Sequence, residues 1–202
     1  MQKNERKNAM KITYKDKTME IQEPQKVIDV FKEECNEHVI ACICNNQIQS
    51  LNHVLKEDSN IKFVDISDKD GLRIYIRGLS YIMAKAFSEV YPKALLTVDY
   101  QLSNSMFFEI DNMKVTDEML EAVSNRMNEI VKEDLPITKV IMTKEEADEF
   151  YEKNKTLKGI LQKDIKERDH VTLYYCEDYY NYYYGVMPIS TKYMKIFKLE
   201  KY

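Results

Sequence analysis

The spacing of apolar positions divides the chain into a strand-rich first third and a mixed remainder. "MKITYKDKTMEIQ" alternates around "KDK" and predicts two short strands. "EPQKVIDVFKEEC" places Val27, Val30 and Phe31 on one face of a short helix. "HVIACIC" predicts a buried strand, "NNQIQ" a turn with a short strand, "SLNHVL" a helical turn, and "NIKFVDI" another strand. Strands in that order around one helix are what a β-grasp domain needs: a small mixed sheet over a single helix.

"DISDKDG" marks a boundary, after which the period changes. In "IRGLSYIMAKAFSEVYP", Leu79, Ile82, Met83, Ala86, Phe87 and Val90 recur at helical spacing, and Pro92 ends the run. "ALLTVDYQ" and "MFFEID" predict strands joined by "LSNS". "VTDEMLEAVSNRMNEIVKED" predicts a second long helix with Thr116 as N-cap. "PITKVIM" predicts a strand, and "TKEEADEFYEKN" opens on a capping box from Thr143 to Glu146. "HVTLYYCED", "YYNYYYG" and "MKIFKLE" are expected to close the chain as strands. The fold class is therefore α+β: a flexible tail over 1–9, a β-grasp domain over 10–67, and a second α+β domain over 68–202 with two long helices on an antiparallel sheet.

Charge changes this picture little. Residues 1–70 carry 11 basic and 13 acidic side chains and residues 71–202 carry 19 and 21, for a net charge of −4. Neither part is a polycation, so any contact with nucleic acid must be local. The polar N-terminus has no apolar segment of a signal peptide, and no apolar run approaches the roughly 18 residues of a membrane span. With four cysteines, the expectation is a cytoplasmic protein with reduced thiols.

Motif chemistry is sparse. Gly71, Gly78, Gly159 and Gly185 are never five apart, which excludes a Walker-type phosphate loop. No nucleophilic triad stands out. Cys35, His38, Cys42 and Cys44 cluster, but without paired C-x2-C knuckles; Cys42 and Cys44 read as small hydrophobes in a strand rather than zinc ligands. "YYCEDYYNYYYG" holds seven tyrosines. Strand alternation places Tyr179, Asn181, Tyr183 and Gly185 on one face and Tyr180, Tyr182 and Tyr184 on the other, with most rings expected to pack.

The order of elements, with "IRGLSYIMAKAFSEVYP", "EEADEFYEKNKTLKGIL" and "LYYCEDYYNYYYGVMP", resembles the N-terminal half of threonyl-tRNA synthetase: a TGS domain followed by the editing-type domain. The segment "YYGVMPISTKYMKIFKLEKY" resembles more closely the same front end in bacterial uridine kinase-like nucleoside kinases. There, a similar motif leads toward a P-loop kinase domain. Here it reads Tyr184-Gly185 and then Pro188-Ile189-Ser190-Thr191-Lys192-Tyr193, with Lys192 where that family has glycine.

The synthetase resemblance implies a zinc-type editing site built from His-x3-His on the first long helix and Cys-x3-His near the end. The matching positions are Arg77 and Tyr81, then Tyr183 and Met187. An arginine stays protonated and cannot ligate a metal. Asn181 stands at the family's acidic position, and only its lysine is matched, by Lys158. No catalytic residue and no metal site are expected.

The expectation is a non-catalytic regulatory or ligand-binding module for RNA, tRNA or a nucleotide. Its vestigial cleft would comprise Arg77, Tyr81, Lys85, Lys158, Asn181, Tyr183 and Met187. Arg77, Tyr81 and Lys85 form one helical stripe, expected to turn away from Ile82 and Phe87 and to face Tyr183 and Met187. The plainer alternative pairs Arg77 with Asp70 or Asp178. The kinase resemblance implies a C-terminal P-loop partner domain beyond Tyr202, and ATP and Mg only for that domain. Two alternatives stand beside this reading: a free-standing aminoacyl-tRNA deacylase, disfavoured by the four substitutions, and a protein-interaction module using the β-grasp edge.

Overall fold

The computed structural model describes residues 9–102, 105–154 and 170–201. The architecture is α+β, and the chain divides into two compact units, 1–134 with 186–202, and 135–185.

The first unit begins with a five-stranded sheet in the order β2-β1-β7-β4-β5. Its strands are β1 (Met10–Tyr14), β2 (Lys17–Ile21), β4 (Val39–Cys44), β5 (Gln47–Gln49) and β7 (Ser59–Asp65). β1 and β7 pair in parallel at the centre; the other pairs are antiparallel. This is the mixed sheet of a β-grasp. Asn45 and Asn46 take φ of 47° and 67°, the left-handed pair that a tight hairpin needs between β4 and β5.

Two expected helical pieces come out differently. The first helix, α1, covers only Val27–Val30, following the two-residue strand β3 (Gln25–Lys26). Val27 and Phe31 are buried, so the apolar anchors hold although the helix is a single turn. "SLNHVL" is not a helical turn. Leu51 is buried, and Val54–Leu55 forms β6, paired antiparallel with β3. Backbone pairing to a distant segment outweighs local preference there.

Nearly all of β4 is buried, because it is covered on both faces: by the α1 side and by the long helix α2 (Lys69–Val90). The "DKDG" boundary lies inside the start of α2. A Cβ on Gly71 would stand 1.9 Å from the Asp65 carbonyl oxygen, so glycine lets the helix begin directly against β7. The hairpin β8 (Leu96–Leu102) and β9 (Ser105–Ile110) follows, then α3 (Asp117–Glu133), capped by Thr116 Oγ1 accepting from Met119 N at 3.2 Å. Asp134 ends α3 in the left-handed conformation.

The last segment is not a strand. It enters a 3₁₀ turn, Thr191–Tyr193, and then runs unpaired along the helices among the described residues. Side chains hold it in place. Pro188 and Met194 pack where Gly78 leaves room, with 2.8 Å to a hypothetical Cβ. Thr191 Oγ1 donates to the Ile130 carbonyl at 2.6 Å. Tyr75 Oη donates to the Ile196 carbonyl at 3.0 Å and accepts from its N–H at 2.7 Å. Lys192 pairs with Asp134 at 3.1 Å, and Lys195 pairs with Glu37.

The second unit is β10 (Thr138–Thr143), α4 (Lys144–Asn154), β11 (His170–Cys176) and β12 (Tyr179–Tyr182), with sheet order β10-β11-β12. Its core is Ala147, Val171 and Leu173, with Met142, Phe150 and Tyr182 against them. The capping box is present: Thr143 N–H donates to Glu146 Oε2 at 2.8 Å, and Glu146 N–H to Thr143 Oγ1 at 3.2 Å.

Candidate functional site

The positions singled out by the synthetase resemblance fall on both units. Arg77, Tyr81, Lys85 and Met187 belong to the first, and Asn181 and Tyr183 to the second. Lys158 lies outside the described residues.

On α2, the expected separation of a packed stripe from an exposed one does not hold. Ile82, Met83, Ala86 and Phe87 are buried, but so are Tyr81 and Lys85, each with no exposed surface. A helix buried on most of its circumference is a central element of its domain rather than a lid on it. Sheet strands β4 and β7 lie on one side, α3 and the C-terminal segment elsewhere.

Each side chain of the stripe has a partner within the unit. The Arg77 guanidinium donates to the Val186 carbonyl. That replaces the acid pairing expected for it; Asp70 instead meets Arg73 at 3.2 Å. Lys85 Nζ lies 2.7 Å from Glu89 Oε1, one turn along the helix. Glu89 also accepts from Arg126 Nε of α3 at 2.5 Å, and Arg126 reaches Glu129 at 3.1 Å and Glu133 at 2.9 Å. Those carboxylates, Glu89 and Glu133 foremost, raise the Arg126 pKa further above its already high value. Met187 is buried.

These residues do not fit a hydrolytic zinc centre. Arg77 has no lone pair to give, and its fork is directed at a backbone carbonyl. Tyr81 and Met187 offer no imidazole, thiolate or carboxylate, the ligands such a centre uses. The cysteine cluster is no substitute. Burial pushes the Cys35 thiol up to about 11 and the Cys42 thiol up to about 12, which keeps both protonated at neutral pH.

The tyrosine run serves the second unit. Tyr180 packs on Phe150 with ring centroids 4.2 Å apart and stacks on Tyr175 at 5.5 Å, directly across the β11–β12 pair. Tyr182 meets Tyr184 edge-on at 5.0 Å. Asn181 donates from Nδ2 to Tyr179 Oη at 2.8 Å and accepts from Tyr182 N–H at 2.8 Å. Tyr174 is buried and its hydroxyl donates to the Gly185 carbonyl at 2.5 Å. Only Tyr184, half exposed, stands well into solvent among the described rings of the run.

Sequence reasoning missed the Lys85–Glu89–Arg126 chain. Its within-helix legs were readable: Lys85 to Glu89 is i,i+4 and Arg126 to Glu129 is i,i+3. The leg between helices needed the packing of α2 on α3.

No protein-family model matches the chain. It is similar to threonine–tRNA ligases: 27% identical over 94% of its length to that of Clostridium kluyveri, and 28% over 95% to that of Clostridioides difficile. To the ligase of Caldanaerobacter subterraneus subsp. tengcongensis it is 29% identical over 77% of its length. The chain spans 31% of the first two relatives and 24% of the third. These relatives agree with the synthetase half of the resemblance and lend no support to the nucleoside kinase half.

Proposed function

We propose that this chain is a tRNA-binding module of the threonyl-tRNA synthetase N-terminal type that has kept the scaffold and lost the hydrolytic site. The observation that carries this reading is the combination of near full-length similarity to threonine–tRNA ligases with the fate of Arg77, Tyr81 and Met187. All three stand where the resemblance implies metal ligands, and all three are used for packing or for holding the C-terminal segment. The Lys85–Glu89–Arg126 chain supports the same view, because it joins α2 to α3 and uses the lysine inside the fold.

An aminoacyl-tRNA deacylase would share the scaffold and the partner. It needs a nucleophile or an activated water, and the residues carried over from the family supply neither. A kinase parent has no observation in its favour. Pro188 and Thr191, which suggested it, hold the C-terminal segment to α2 and α3.

The test is binding of unmodified tRNA by fluorescence anisotropy over a range of salt. Binding that weakens steeply with salt is expected, since phosphate contacts release counterions. Absence of binding at low salt overturns the reading.

A further inference from the structure

β1 ends at Tyr14, and the chain turns through Lys15 in the left-handed region at φ 53°. Beside this turn lies a half-open recess of about 440 Å³, lined by Tyr14, Lys15, Asn60, Ile61, Lys62 and Phe63. Its walls are aromatic. Tyr14 and Phe63 meet edge-on at 5.1 Å, and each lies 5.5 Å from the ring of Phe31, which is buried. Tyr14 and Phe63 are only partly buried.

The rim is cationic. Lys15 Nζ stands 5.0 Å from the Tyr14 ring centroid, and Lys15 and Lys62 are both exposed. Lys17, also exposed, is in register with Tyr14 across the β1–β2 pair. No carboxylate belongs to the lining. Of the two nearby acids in sequence, Asp58 is engaged, accepting from the Lys11 N–H at 2.7 Å; Asp16 sits in the exposed turn itself.

We propose that this recess takes one unpaired nucleotide of an RNA strand, with the base against Tyr14 and Phe63 and its phosphate between Lys15 and Lys62. Stacking on an aromatic wall beside a cation is the chemistry by which single-stranded nucleic acid is held without sequence readout. The amide of Asn60 adds a donor and an acceptor for a base edge. A chain with a net charge of −4 has no long-range attraction for RNA, so a local site of this kind is what it requires. The assignment rests on the chain binding RNA at all.

The experiment measures a short labelled oligouridylate, unmodified tRNA and an oligoglutamate peptide against the full chain. Two variants accompany it. Lys15→Asn/Lys62→Gln removes both charges, asparagine being chosen because it tolerates the left-handed backbone. Tyr14→Leu removes the stacking wall, with a thermal melt to show that it folds. We expect roughly tenfold or greater weakening for oligouridylate in each variant. The charge variant should also have a salt slope shallower by about 1. If wild type and both variants bind the oligonucleotide within twofold of each other, the recess is not the site while RNA binding stands. Binding of tRNA without oligouridylate has the same consequence. Oligoglutamate bound as tightly as oligouridylate replaces the nucleotide by any polyanion and overturns the assignment. If neither RNA binds, the RNA reading falls with it.

Discussion

Lys85 and Glu89 stand one turn apart on α2, 2.7 Å from Nζ to Oε1, with the lysine fully enclosed and the carboxylate shared with Arg126 of α3. The consequences of breaking this pair are unequal. Glu89→Gln leaves a buried ammonium without its counter-charge and should cost about 2–3 kcal/mol, less than a fully enclosed pair because Glu89 is partly solvated. Lys85→Met fills similar volume and leaves Glu89 with Arg126, so it should cost less than about 1 kcal/mol. Urea midpoints at unchanged slope measure both. A larger loss for Lys85→Met would show that the lysine does something besides neutralise Glu89.

Two glycines on α2 should respond in a fixed order. Helix propensity alone favours alanine at either by about 1 kcal/mol. At Gly71 the new Cβ would run into the Asp65 backbone carbonyl at 1.9 Å, which moves only if α2 shifts off β7. Gly71→Ala should lower stability by about 2–3 kcal/mol. At Gly78 the nearest atoms, at 2.8 Å, belong to the side chains of Met194 and Pro188. Gly78→Ala should cost about 1 kcal/mol and raise amide exchange mainly over 186–196. Equal effects at the two positions would contradict this packing.

Stability should fall on the alkaline side. The Cys35 and Cys42 thiols are raised to about 11 and about 12, and the Tyr193 hydroxyl to about 12, all mainly by burial. Each keeps its proton in the folded state after the unfolded chain has lost it. Their contribution is therefore complete below the ordinary thiol and phenol values and is lost as pH rises through the folded ones. Melting temperature should hold to about pH 9 and drop between pH 9 and 12, and Cys42→Val should flatten the drop. A flat profile across that window in the wild type would be inconsistent with these burials.

Much of this fold could be read from the sequence. The β-grasp strands, α2, α3, the Thr116 cap and the Thr143–Glu146 box all follow from period and capping chemistry. The misses share a cause. Val54–Leu55 and 194–201 have strand-like residues, but whether they become strands depends on a partner far along the chain: the first finds β3, while the second docks on helices instead. The expected cleft was inferred from the spacing of Arg77, Tyr81 and Lys85. Spacing identifies a shared face but cannot say whether that face is open, and here Tyr81 and Lys85 are enclosed. Nor could spacing bring Lys62 beside Tyr14, which required the parallel pairing of β1 with β7.

Arg77 offers a contrast with the recess on the β-grasp. Its guanidinium holds the Val186 carbonyl, so Arg77→Gln should loosen the C-terminal segment. Faster amide exchange over 186–196 is expected, with RNA affinity unchanged to within about twofold, because this hydrogen bond is internal to the fold. A tenfold loss of RNA binding with exchange unaltered would instead place Arg77 at the RNA.

The account is tested most directly by presenting the chain with aminoacylated tRNA and following complex formation and ester hydrolysis in the same samples. Retention of the scaffold without its hydrolytic residues predicts a salt-sensitive complex in which the aminoacyl ester decays no faster than in tRNA alone. Hydrolysis above that background, abolished by substituting Tyr183 or Met187, would contradict the account and restore a deacylase.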